Sequence, residues 1–148
     1  MTPLDLTQRP PRSFRAELDG IAYLPRAIDK TRADLPGGNL GAYLILSDEV
    51  VTMSAMFYRK MGITHEEFAA AVASAESDDD VAAWLRARVD ATQVDGWHAR
   101  LFGIHLSDIP EATLARVLER HPAGKTMPTS TLLVDVIDAD DAEMFAGT

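Results

Sequence analysis

The chain has 148 residues, 47% hydrophobic and 25% charged, with 14 Lys and Arg against 23 Asp and Glu, a formal net charge of −9. That length suits one domain, and the composition excludes a disordered, collagen-like or low-complexity chain. The acidity argues against general nucleic-acid binding, which depends on basic residues facing phosphates, and the lack of Cys removes disulfides, thiolate nucleophiles and Cys-based zinc sites together.

The opening Met1-Thr2-Pro3-Leu4-Asp5-Leu6 has neither the basic start nor the apolar core of a secretory signal. No stretch approaches the ~18 apolar residues of a membrane span. The expectation is a cytoplasmic protein with no membrane contact.

Residues 1–22 read as an extended arm rich in Pro and Arg. Pro10-Pro11 favours polyproline II and keeps Arg9 out of the helical region. Residues 1–32 carry six basic and four acidic side chains, a net of +2, whereas the rest of the chain carries −11. Opposite charge should therefore lay the arm across the body rather than let it trail.

A helix is expected from Tyr23 to Ala33, with Pro25 in its first turn, Leu24 and Ile28 on its apolar face, and Leu35-Pro36-Gly37-Gly38 as the stop. A second is expected from a cap at Ser47 or Asp48 to Gly62, with Val50, Met53, Phe57 and Met61 as its stripe. Thr64-His65-Glu66-Glu67 spells a capping box ahead of Phe68, Ala71, Val72 and Ala75. Ser77-Asp78-Asp79-Asp80 puts three carboxylates at a helix N-terminus, where the helix dipole favours them, and Val81, Trp84, Leu85 and Val89 follow at helical spacing. Thr92 to Leu106 continues the pattern with Val94, Trp97, Leu101 and Ile104. Ser107 to Glu111 begins another helix, closed by His121-Pro122-Ala123-Gly124.

Residues 131–137 suit a strand by composition, but a lone strand has no partner in so helical a chain, so a last short helix is expected. Ala42 to Leu46 is the only other strand candidate. Asp138 to Glu143 reads as a solvated acidic tail: it lacks the Gly and the terminal Glu of a calcium loop. The fold expected is all-α: a compact single-domain bundle of about six helices over residues 1–148, with the arm packed on it.

Two segments carry a resemblance. Leu6-Thr7-Gln8-Arg9-Pro10-Pro11-Arg12-Ser13, and then Leu24-Pro25-Arg26-Ala27-Ile28-Asp29-Lys30-Thr31-Arg32-Ala33, are similar to the opening of a bacterial family known as domain of unknown function 5069. Gly62-Ile63-Thr64, the Phe68 helix and Ser77-Asp78 leading to Trp84 resemble its middle. The resemblance implies a small, soluble, mostly helical domain, and brings no activity, cofactor or catalytic residue. Phe14 stands where many members carry Pro, and Tyr43-Leu44-Ile45-Leu46 where they are more polar, which would make a pocket there greasier.

The strongest candidate chemistry lies on the first helix. Arg26, Asp29 and Lys30 are three and four residues apart and share one face, beside an arm that holds Arg9 and Arg12. With Arg32, and with Tyr43 in the following loop, they form a candidate site for a carboxylate or phosphate. The structural alternative is an ion-pair network in which Asp29 pairs with Arg26 or with an arm Arg and pins the arm down. The preferred function is thus a binding or interaction module for an anionic small molecule or an acidic partner surface. The rival is a cofactor-free enzyme using Asp29 and Lys30 as proton-transfer groups, with Tyr43 nearby. A third reading is a structural homodimer sealed by the Met- and Trp-bearing helices.

No metal site or cofactor is expected: His65, His98, His105 and His121 are scattered and no H-E-x-x-H occurs. Gly37-Gly38-Asn39-Leu40-Gly41 lacks the Lys-Ser/Thr of a phosphate loop and reads as a turn. Neither does a G-x-S-x-G nucleophile motif occur.

Overall fold

The computed structural model describes residues 1–147. Among them the chain is mostly helical, with seven α-helices and a single two-stranded sheet, an all-α bundle. It divides into two units, residues 1–97 and residues from 98 onward.

In the first unit, strands β1 (Glu17–Leu18) and β2 (Ile21–Ala22) pair antiparallel across Asp19 and Gly20, both at positive φ, as a tight two-residue hairpin turn requires. Arg86 clasps that turn through the Asp19 carboxylate and carbonyl. Helix α1 (Leu24–Asp34) follows at once, and every residue from Ile21 to Thr31 is buried, charged ones included. The expected arm therefore contains a hairpin, and Leu6, Pro11 and Phe14 sink into the core while it crosses the body. Backbone bonds from Leu4 to Arg32 and between Leu6 and Asn39 fasten its start.

The second helix begins later than the Ser47 or Asp48 cap expected. It is α2, Met53–Met61, because Thr52 accepts the Ala55 N–H through its side chain while its own hydroxyl donates to the Ile45 carbonyl. Val50 and Val51 are left in the loop, and Ala42 to Leu46 forms no strand. Gly62 closes the helix at φ 68, a left-handed conformation that glycine adopts without steric penalty. The Thr64–Glu67 capping box forms at α3 (His65–Ser74), and Asp80 accepts the N–H groups of Glu76 and Ser77 at the start of α4 (Asp78–Arg86).

The first unit's core is aromatic. Tyr23 lies 5.2 Å from Phe14, 5.4 Å from Phe57 and 5.6 Å from Trp97, ring centre to ring centre, and Phe57 lies 6.2 Å from Phe68. Such edge and offset pairs add to the burial that drives packing. The Trp97 indole N–H donates to the Ala22 carbonyl at 2.9 Å, fixing α5 (Ala91–Leu101) to the hairpin. Met53 and Met61 are buried with Phe57, so their stripe belongs largely to the core.

Helix α5 ends at Leu101, short of the Leu106 expected, because Gly103 breaks it; Leu106–Asp108 is a separate 3-10 turn. In the second unit, α6 (Glu111–Arg120) is followed by a 3-10 helix, Pro122–Thr126, and then by α7 (Leu133–Met144). Gly124 allows their close approach: a Cβ there would lie 2.8 Å from both Leu118 and Val136. The helix expected at residues 131–137 is present but runs much further. The solvated acidic tail is corrected accordingly, since the sequence beyond Ile137 stays helical and Asp140 and Asp141 are buried. Asp140 takes the His121 ring at 3.2 Å and the Ala123 N–H at 3.4 Å.

Burial holds the His121 imidazole below its ordinary value, against the pull of Asp140, so protonation favours the unfolded chain. The stability it contributes is whole above pH 6.5 and is lost as pH falls through the folded value. Melting temperature should therefore drop more steeply between about pH 7.5 and about pH 5.5 in the wild type than in His121→Gln; equal slopes would contradict the burial argument.

Candidate functional site

The arm and α1 meet through one guanidinium. Arg12 Nε and Nη2 donate to the two oxygens of Asp29 at 3.0 and 2.9 Å, and the Arg12 backbone N–H adds a third bond at 2.8 Å. Nη1 then reaches Asp78 on α4 at 2.7 Å. Burial alone would make the Arg12 cation harder to hold, but the two carboxylates more than offset it and keep its pKa raised. Asp29 is deeply placed, with its side chain 7% exposed; Arg12 and Asp78 are at 39% and 30%. The ion-pair network foreseen for Asp29 is formed with an arm Arg, while Arg26 bonds the Arg12 carbonyl instead.

The remaining cations divide into two groups. On the outer side, Arg9, Pro10, Arg12, Asp29, Arg32 and Asp78 line a cleft of about 270 Å³. Arg9 is exposed and makes no hydrogen bond or ion pair with any described residue. Arg32 donates through Nε to the Thr2 carbonyl at 2.8 Å and lines the cleft. On the inner side, Arg26 and Lys30 are only 2% and 7% exposed. The Arg26 guanidinium lies over the Phe14 ring at 4.4 Å and 5.6 Å from the Tyr43 ring, so Tyr43 belongs with this group. Lys30 Nζ donates to Ser54 Oγ at 3.3 Å, and Ser54 Oγ is 2.7 Å from the Tyr23 hydroxyl. The seven residues singled out in the sequence thus surround α1, but on two sides of it rather than at one site.

Sequence reasoning missed Ser54, Tyr23 and Asp78. Asp78 was read as a helix-capping carboxylate only, and nothing in its spacing signals a partner 66 residues away. Tyr23 carries a visible signal only in structure: it is a bulky residue at φ 75, a costly conformation held by its buried ring and hydroxyl. His65 is engaged by the Tyr58 hydroxyl at 3.2 Å and lies 3.8 Å from Asp34, and burial pushes the Tyr58 phenol upward. No group of three or more His, Asp or Glu that would hold a metal is found among the described residues, and no helix among them is long and apolar enough to cross a membrane.

With the arm, α1 and α4 joined in this way, the segments that carried the resemblance are the ones that build the site. The chain belongs to the family described as domain of unknown function DUF5069, whose model matches residues 8–143. No curated protein matches the chain.

Burial predicts unequal costs for the two carboxylates that hold Arg12. Asp29→Ala should lower stability by about 2 kcal/mol, because it removes the three hydrogen bonds that Arg12 makes to a largely buried carboxylate. Asp78→Ala should cost about 1 kcal/mol or less, its partly exposed pair being screened by solvent. Urea unfolding of both variants checks the order, and equal losses would contradict it.

Proposed function

We propose that the protein is a binding module for an anionic small molecule, or for the acidic surface of a partner, at the outer cleft between the arm and α1. The observation that carries this reading is the division of charge within the cleft. Both of its carboxylates are engaged by Arg12, whereas neither Arg9 nor Arg32 is paired with a carboxylate among the described residues, so a ligand entering it meets net positive charge. Arg presents a planar fork suited to two oxygens of a carboxylate or phosphate. The rings of Pro10 and Pro11 fix their φ angles, which stiffens the arm and lowers the ordering cost of binding. A cytoplasmic location goes with the same reading, where small anionic metabolites are at hand.

The proton-transfer reading of Asp29 and Lys30 draws less support. Three donors from Arg12 occupy the Asp29 oxygens, so a substrate proton would have to displace a bidentate ion pair.

Inorganic phosphate and citrate, titrated at low ionic strength, should raise the melting temperature of the wild type. At a hundredfold excess over Kd the gain is about 2.7 kcal/mol, or roughly 5–10 °C for a chain of this size. The shift should shrink as salt rises and vanish in the Arg9→Ala/Arg32→Ala double variant, which removes surface side chains at little cost to the fold. An undiminished shift in that variant overturns the assignment.

A further inference from the structure

The outer cleft is not uniform in charge. Arg9, Arg12 and Arg32 line it together with Asp29 and Asp78, and three cations against two anions leave a formal charge of +1. The two carboxylates are unequal. Asp29 takes three hydrogen bonds from Arg12, through the guanidinium and the backbone N–H, and its side chain is 7% exposed. Asp78 takes the Arg12 guanidinium alone, Nη1 at 2.7 Å and Nη2 at 3.4 Å, and its side chain is 30% exposed. A carboxylate has room for about four donors, so Asp78 keeps acceptor capacity at the wall of the cleft.

The cations are unequal in the complementary sense. Arg12 is held by both carboxylates, whereas neither Arg9 nor Arg32 is paired with a carboxylate among the described residues. A ligand therefore meets two guanidiniums and one partly open carboxylate, contributed by the arm, α1 and α4. A phosphate or a simple dicarboxylate satisfies the guanidiniums but brings its charge up against Asp78 with nothing to offset the repulsion. What complements all three groups is a molecule with two anionic groups, one cationic group and a net charge of one negative unit. The cleft of about 270 Å³ falls below the roughly 300–1,000 Å³ of pockets that take drug-sized ligands, which suits a compact molecule.

Taking the outer cleft as the binding site, on which this step rests, we infer that its ligand is a free acidic amino acid, with its two carboxylates on Arg9 and Arg32 and its α-ammonium on Asp78. Glutamate and aspartate carry two carboxylates and one ammonium near neutral pH, and so the net charge that neutralises the cleft. Each carboxylate meets the planar fork of an Arg. The ammonium separates this ligand from the acidic surface of a partner: within a folded protein the α-nitrogen of Glu or Asp lies in an uncharged peptide bond, so only the free amino acid uses all three groups. Asp78 is then the specificity residue of the cleft, repelling other anions and attracting the ammonium of this one.

Titrations of glutamate and of glutarate, which keeps both carboxylates and lacks the ammonium, test the inference through the Arg9 and Arg32 amide chemical shifts at low ionic strength. Glutamate should bind the wild type about threefold or more tighter, although glutarate carries the larger negative charge. In Asp78→Asn, which keeps the size of the side chain and removes its charge, that preference should be lost or reversed. In Arg9→Ala/Arg32→Ala neither ligand should give saturable shifts. Equal Kd values in the wild type, a preference there for glutarate, or saturation by phosphate alone overturns the amino acid while leaving the cleft reading intact. A glutamate preference unaltered in Asp78→Asn does the same. Absence of saturable shifts from glutamate, glutarate and phosphate alike overturns the cleft reading, and the amino acid with it. The wild-type comparison decides the matter even if Asp78→Asn does not fold.

Discussion

Arg12 is the residue through which the arm, α1 and α4 depend on one another. A carboxylate such as Asp29 costs several kcal/mol to remove from water, and only a partner with matched geometry offsets that cost. The two-pronged guanidinium does so, and its remaining prong reaches Asp78. Because Arg12 sits between Pro11 and Phe14, fixing its head also fixes where the buried segments of the arm enter the core. Helix α1 can then be buried along nearly its whole length, which its charged side chains would not tolerate without partners.

That burial sorts the cations. With Asp29 bonded to Arg12, Lys30 is carried to the side of Tyr23 and Ser54, Arg26 to the Phe14 ring and the Arg12 carbonyl, and Arg32 to the side of Arg9. One polar face, drawn on a helical wheel, becomes two environments of unlike character: a solvent-facing cleft ringed by Arg, and an enclosed polar cluster beside aromatic rings. Tyr23 joins these to the core. Its backbone strain at φ 75 persists because its ring packs among Phe14, Phe57 and Trp97 and its hydroxyl is bonded to Ser54.

Local signals were the legible ones. The Thr64 capping box, the Pro25 start of α1, the Gly62 stop and the carboxylates ahead of α4 all act within one turn, and the sequence displays them directly. The start of α2 was misjudged because Ser47, Asp48 and Thr52 are all competent caps. The choice fell to Thr52 through its bond to the Ile45 carbonyl, a tertiary contact. The acidic stretch after Ile137 reads as a solvated tail because its charges dominate, whereas Asp140 is buried against the His121 ring and the Ala123 N–H, partners that lie 17 to 19 residues away. For the site, sequence spacing placed the right residues on α1 and foresaw Asp29 bonding an arm Arg. It did not reveal that the helix would be enclosed on both sides, nor the distant partners Asp78 and Ser54.

The central claim is that the Arg12–Asp29 contact, and not general burial of the arm, holds this arrangement together. A double-mutant cycle in urea with Arg12→Ala, Asp29→Ala and both together tests it most directly. The account predicts a coupling energy of about 1.5–3 kcal/mol. A coupling below about 0.5 kcal/mol, the level at which distant and independent sites simply add, would contradict it.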